Sequence, residues 1–297
     1  MKPLASLLLL ALIWGYNWVV MKSALPFIGP FQFAAMRTFF AALLMLFMLV
    51  LLRKPLKPSH LARTSLIGLL QTSGFTGLIV LALVTGGAGK VAVLCYTMPF
   101  WVMLLAWPLL GERIRGMQWL VVALSCAGLV FILEPWHMAG SLLSDFLAIS
   151  GGLCWAFSVI AAKKLHKAAP DMDLLSFTTW QMLIGSIPLV LAALLLPAKP
   201  IVWTHYLWGA VLYNVVLGNA LAWLLWLYAL KNLKAGTASM VSLLAPVIGV
   251  FSAWLQLGEV PTVSEGVGMV LIGLALALIA YLGMRRHEAP DPAIAQE

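Results

Sequence analysis

Short motifs recur along this chain in the same order at nearly the same spacing, and the recurrence limits its fold more than any other feature. Ala88-Gly89, Pro99 and Gly111-Glu112 return as Ala235-Gly236, Pro246 and Gly258-Glu259, each 147 residues later. Trp14 with Lys22 returns as Trp155 with Lys163, 141 residues later. The offsets differ by only 6, so short insertions separate the copies. A chain written twice folds as two similar halves, and how those halves are oriented depends on what each contains.

Of 297 residues, 63% are hydrophobic and 9% charged, against about 25% charged in an average soluble chain. The composition implies a polytopic membrane protein with almost no length left for a soluble domain. In lipid, every backbone polar group must be satisfied internally, so apolar runs of about 20 residues cross as helices. On that ruler the first half holds spans at Leu4–Ala24, Phe31–Leu52, Thr64–Val84, Gly89–Leu110 and Met117–Leu133. The second holds Leu142–Ala162, Leu174–Leu196, Tyr206–Leu230, Gly236–Leu257 and Val263–Met284. The expected organisation is a first repeat over 1–137, a second over 138–284 and a polar, Pro-containing tail over 285–297. Lys2 and the apolar run after it imitate a signal peptide. The run continues to Ala24 with no small-residue cleavage site, so a retained first span is expected.

Charge orients these spans. With the N-terminus inside, fourteen Lys and Arg fall on the cytoplasmic side and three, Lys22, Lys90 and Lys199, on the outside, with Arg37 inside a span. This bias places both termini in the cytoplasm. Five spans per copy is an odd number, so the second copy is inverted relative to the first. Inverted repeats place a substrate site at their interface near mid-membrane. The fold expected is all-α and integral to the membrane, with ten transmembrane helices as two inverted five-helix repeats around a central cavity.

Trp14-Gly15-Tyr16-Asn17-Trp18 through Lys22 resembles the opening of an EamA-type repeat in the drug/metabolite transporter (DMT) superfamily. Pro30 followed by Arg37 resembles that family's second span. A Pro-bearing span closing on Gly-Glu, seen at Pro99 to Glu112 and again at Pro246 to Glu259, is similar to its fourth. Within the family the chain looks like the YddG-type exporters of aromatic and other amino acids. The resemblance implies a ten-helix basket, a cavity between the repeats and alternating access in the inner membrane. The second copy departs from the pattern: Trp155-Ala156-Phe157-Ser158 replaces the opening motif, and Gln181 stands where Arg37 would recur.

Several residues could carry transport. Arg37, about six residues inside its span, must face protein or water because lipid would penalise its charge. It could attract a substrate carboxylate or serve backbone carbonyls. Pro99 and Pro246 each remove a helix hydrogen bond, so paired bent helices could line a cavity and act as hinges, or be passive kinks. Trp14, Tyr96, Trp101, Trp155 and Tyr213 lie mid-span, where rings could stack on an apolar side chain or pack in the core. Trp119, Trp136, Trp203 and Trp208 near span ends read as interfacial belts. Asn17, Gln71, Ser158, Gln181, Asn214 and Ser242 could hydrogen-bond a zwitterion or bridge helices.

No Asp or Glu lies deep in a span, which favours a facilitator or coupling through end residues such as Glu112 and Glu259. The net charge of +8 follows from cytoplasmic loops, and nucleic-acid binding is not expected. Cys95, Cys126 and Cys154 lack metal-ligand spacing, and neither a metal nor a cofactor is expected. Gly86-Gly87-Ala88-Gly89-Lys90 faintly resembles a phosphate loop but lacks its frame. No clustered His, paired carboxylates or activated nucleophile points to a membrane enzyme. The partners expected are the bilayer and a small substrate, an amino acid or similar zwitterion, handled by a monomer. A drug, nucleobase or other metabolite is the alternative substrate.

Overall fold

The structure is a computed structural model that describes residues 3–111, 114, 116–133, 142–232 and 244–288. The regular elements among the described residues are all helical. α1 covers Pro3–Ala24 and α2 Pro30–Leu51. α3 is continuous but composite: Leu61–Gly68, a π-helical stretch Leu69–Phe75, then Thr76–Thr85. α4 is broken into α4a, Ala88–Cys95, and α4b, Met98–Leu110. α5 runs Gln118–Leu133, α6 Leu142–Ala168 and α7 Leu174–Leu195. α8 repeats the build of α3, with His205–Leu212, a π-helical stretch Tyr213–Leu221 and Ala222–Asn232. α9 is Leu244–Leu257 and α10 Val263–Glu288.

These elements follow the expected spans closely. The largest differences at described ends are a longer α6, which continues to Ala168, and a longer α10, which continues to Glu288; the expected start of the ninth span at Gly236 lies outside the described residues. Among the described residues, seven helical stretches are long and apolar enough to cross a membrane, and Gln118–Ile132, Leu244–Leu257 and Val263–Ile279 are shorter apolar helices. Many large apolar side chains lie on the outside: Leu195 is 77% exposed and Val263 88%. A surface of that kind suits lipid, where apolar side chains gain nothing by turning inward.

Local signals set the helix ends. Pro30 opens α2, and Gln32 Oε1 accepts from the Gly29 N–H at 2.9 Å. Asp173 caps α7 by accepting from the Ser176 N–H at 2.9 Å, and Thr204 does the same for α8 through Leu207. Gly111 and Gly258, the glycines of the repeated Gly-Glu pair, both have positive φ, +72° and +66°. The left-handed turn ends the helix and favours glycine, which is why the motif keeps that residue in both copies.

Packing between residues 3–133 and 142–288 comes in reciprocal pairs. α1 packs on α9 and α8; α6 packs on α4 and α3. α2 packs on α8, and α7 on α3. α2 packs on α7, and α5 on α10. Small residues allow these approaches. A Cβ on Gly15 would fall 2.6 Å from Ile248, and one on Gly268 would fall 2.6 Å from the Gly128 carbonyl. Gly68 and Gly185 bring the backbones of α3 and α7 together in the same way.

Candidate functional site

Aromatic rings run across the seam between the two halves. Phe75 on α3 meets Trp155 on α6 edge-on, with centroids 4.8 Å apart. Trp155 stacks on Trp223 of α8 at 6.3 Å and 16°. Trp223 meets Trp14 of α1 edge-on at 6.4 Å, and Trp14 lies 6.2 Å from Trp226. Trp14 and Trp155 are repeat counterparts, and Phe75 and Trp223 stand 148 residues apart. The pair Phe75–Trp155 therefore mirrors Trp223–Trp14. Both α3 and α8 carry a π-helical stretch beside these rings. Such stretches reposition side chains and gather at functional sites.

A polar group adjoins the rings between α1, α2 and α8. Trp14 Nε1 donates to the Gly218 carbonyl at 3.2 Å. Asn17 faces the same glycine, where a Cβ would lie 3.6 Å from its amide atoms. Tyr213 Oη donates to the Ile13 carbonyl at 2.7 Å. Asn219 Nδ2 donates to the carbonyls of Asn214, 2.7 Å, and Arg37, 3.3 Å. Arg37 is only 8% exposed, and its Nη1 donates to the Met21 sulfur at 2.8 Å. Asn17 Oδ1, Asn214 Oδ1, Arg37 Nε and Gln181 Oε1 are buried without a hydrogen-bond partner among the described residues. Each unsatisfied group costs about 1–3 kcal/mol, a cost that water or a ligand would relieve.

One end of the molecule is tied by charged side chains. Lys22 Nζ donates to the carbonyls of Leu83 and Gly86, both at 2.7 Å, capping α3. Lys90 pairs with Asp145 at 3.1 Å and Glu265 at 3.2 Å. Glu259, from the repeated Gly-Glu pair, accepts from the Gly89 N–H at 3.1 Å, at the start of α4a. A carboxylate is stabilised at a helix N-terminus, so the phosphate-loop-like segment holds the protein's own anion. The recess there, about 120 Å³, is lined by Gly87, Lys90, Glu259 and Glu265 and is smaller than ordinary ligand sites. At the opposite end Lys54 pairs with Asp173 at 2.9 Å. Burial works to raise the Asp173 pKa, but the Lys54 ammonium and the Ser176 N–H hold it below the ordinary carboxylate value.

With this geometry in place, comparison with known proteins is decisive. The model of the EamA-like transporter family matches residues 1–134 and again 142–281. The chain belongs to the EamA-like transporter family. Among relatives of this EamA-like chain is the uncharacterized transporter YoaV of Bacillus subtilis (strain 168), 26% identical over 96% of this chain and 99% of YoaV. Proteins named "Probable amino-acid metabolite efflux pump" are 28% identical in Salmonella typhimurium, over 92% of this chain and 93% of that protein, and 27% identical in Escherichia coli (strain K12), over 95% of both. A solved crystal structure, 16% identical, superposes with a TM-score of 0.66 over 96% of this chain and 98% of its own, so the two share a fold.

The EamA-like structure gathers some residues singled out in the sequence and separates others. Trp14 and Trp155 join the ring chain, Trp14, Asn17 and Tyr213 tie α1 to α8, and Asn219 links the backbone carbonyls of Arg37 and Asn214; the Arg37 side chain reaches Met21, and Asn214 Nδ2 donates back to the Ala210 carbonyl at 3.0 Å. Gln181 is buried on α7 against Gly68 of α3, and Gln71 is half-buried in the α3 π stretch. Ser158 Oγ only returns to its own helix, at the Trp155 carbonyl. Tyr96 is buried against Trp18. Trp101 lies apart from the rings, beside Phe100 and facing the group of Val121 and Ala275 on α5 and α10, with Nε1 on Thr97 Oγ1. Pro99 stands at the start of α4b, directly after the break at Tyr96-Thr97. Pro246 is the third residue of α9; what precedes Leu244, including Ser242, lies outside the described residues, as does Glu112. Sequence reasoning missed Phe75, whose signal was the offset to Trp223. It also missed Asp145, which sits in the first turn of α6 yet is only 3% exposed.

Proposed function

We propose that this EamA-like transporter is an alternating-access exporter of small metabolites, amino acids foremost, working in the inner membrane as a monomer. In this reading its ten helices, the three shorter ones included, all cross the bilayer as two inverted five-helix repeats over 1–137 and 138–284. Both termini are cytoplasmic, and the end carrying Lys22 and Glu259 faces outward. The observation that carries the reading is the aromatic chain across the seam, because its contacts recur in reciprocal pairs as a shared transport route between two inverted repeats requires. Two matches to the family model and the names of the Salmonella and Escherichia relatives support it. Pro99, beside the break in α4, and Pro246 in α9 are the hinge positions. Around the rings and amides Arg37 is the charged side chain described, which fits facilitated flux, with coupling, if present, through end residues such as Glu259.

Flat rings also suit a planar nucleobase or drug, which is the second reading. Purified protein in liposomes, tested for flux across amino acids, nucleosides and drugs, decides between them. The proposal expects saturable flux of amino acids; flux confined to nucleosides or drugs favours the second reading, and an absence of flux for all three classes contradicts transport.

A further inference from the structure

The unpartnered atoms between α1, α2 and α8 have a chemical pattern of their own. Arg37 Nε is a buried donor on a charged group, while Asn17 Oδ1 and Asn214 Oδ1 are buried acceptors. All three side chains are at least nine-tenths buried: Asn17 is 4% exposed, Arg37 8%, and Asn214 is fully buried. Their levels along the helices agree. Asn17 is one turn, about 6 Å, from Met21 on α1, and Arg37 Nη1 reaches the Met21 sulfur. On α8, Asn17 faces Gly218, and Asn214 lies one turn away within the same π stretch. Asn219 ties the Arg37 and Asn214 carbonyls together, holding α2 against α8 at this level. The ring of Trp14, three residues before Asn17, leads into the aromatic chain.

We infer that Arg37, Asn17 and Asn214 form a receptor for the head group of an α-amino acid, with the carboxylate on Arg37 and the ammonium donating to the two Asn oxygens. The inference rests on the transport reading and narrows its substrate class. A carboxylate answers the arginine, for which the described structure offers a thioether rather than an acid. The two oxygens then need N–H donors adjacent to that carboxylate, and an α-ammonium supplies three. A zwitterion also enters without changing the net charge of the site, which matters in a low-dielectric interior. The rings beside Trp14 then receive the side chain. The second copy has no equivalent, since Gln181 replaces Arg37 and Trp155-Ala156-Phe157-Ser158 supplies no Asn. The receptor is a departure from the repeat rather than a product of it.

The test is counterflow of labelled phenylalanine in proteoliposomes, with 3-phenylpropionate and phenethylamine as competitors that each lack half of the head group. The wild type should prefer phenylalanine over either competitor by about tenfold or more. Arg37→Gln should lower phenylalanine flux by about tenfold and erase the preference over phenethylamine. Arg37→Lys, which keeps the charge but loses the Nε donor, should lower flux yet retain a preference for phenylalanine over phenethylamine, a selectivity that a folding defect would not alter. Asn17→Leu should erase the preference over 3-phenylpropionate. Equal potency of all three compounds on the wild type overturns the receptor, as does a parallel change for all three in the variants. Flux of nucleosides or drugs without amino acids overturns it while leaving transport standing. No flux of any compound overturns the transport reading itself.

Discussion

Trp223 touches rings from both halves, Trp155 on one side and Trp14 on the other. Aromatic pairs contribute about 0.5–1.5 kcal/mol each beyond area burial, so Trp223→Leu should lower stability by a few kcal/mol. It should also reduce flux about tenfold per folded molecule, measured on protein selected by size exclusion. Trp203→Leu removes a ring that is 45% exposed and stacked only on Trp208 among the ring contacts described, and should leave flux within about twofold. The Lys54–Asp173 pair gives a pH prediction. The Asp173 pKa lies below its unfolded value, so the pair's contribution is present above about pH 4 and is lost as pH falls through the folded value. Asp173→Asn should flatten the acid limb of the melting temperature slightly, since the Lys54 side chain is 45% exposed. At this scale the sequence was informative about charge and poor about direction. Arg37 was conspicuous as the lone cation within a span, about six residues from its end. Trp101 was not placed, because lipid-facing and core-facing sides of these helices are both apolar and periodicity does not distinguish them.

At the scale of elements, the repeated motif has a mechanical meaning. The glycine of each Gly-Glu pair turns the helix end through a left-handed residue, and Glu259 then caps α4a in the other half. Gly258→Ala should cost about 1–2 kcal/mol for the backbone conformation alone, seen as a lower melting temperature. Gly266→Ala, in α10 with open space around it, should be neutral or mildly stabilising. Glu259→Gln should weaken the cap by about 0.5–2 kcal/mol. Helix ends were legible because Pro30, Asp173, Thr204 and the Gly-Glu pairs carry capping chemistry in plain view. The break in α4 was signalled by Pro99 but falls at Tyr96-Thr97, before it. The π stretches at Leu69–Phe75 and Tyr213–Leu221 were invisible, because one added residue in a uniformly apolar helix leaves no trace in composition.

For the whole molecule, two halves of similar sequence meet through paired contacts, with rings and an asymmetric polar group at the seam. The duplication was readable because its glycines, prolines and glutamates have positional jobs that conserve spacing. The seam was not, since contacts such as Phe75–Trp155 join residues 80 positions apart with no local pattern. Topology reporters fused after residue 297 and within the loop at 197–204 should report cytoplasm and outside respectively. The reverse pattern would contradict the cytoplasmic placement of the termini, and both reporters on one side would contradict the three spans between them. The most direct test of the account is counterflow in proteoliposomes: labelled external amino acid against an excess of unlabelled amino acid inside. An alternating-access carrier predicts transient accumulation of label above equilibrium that saturates with external concentration. Linear uptake without overshoot, equal to that of empty liposomes, would contradict it.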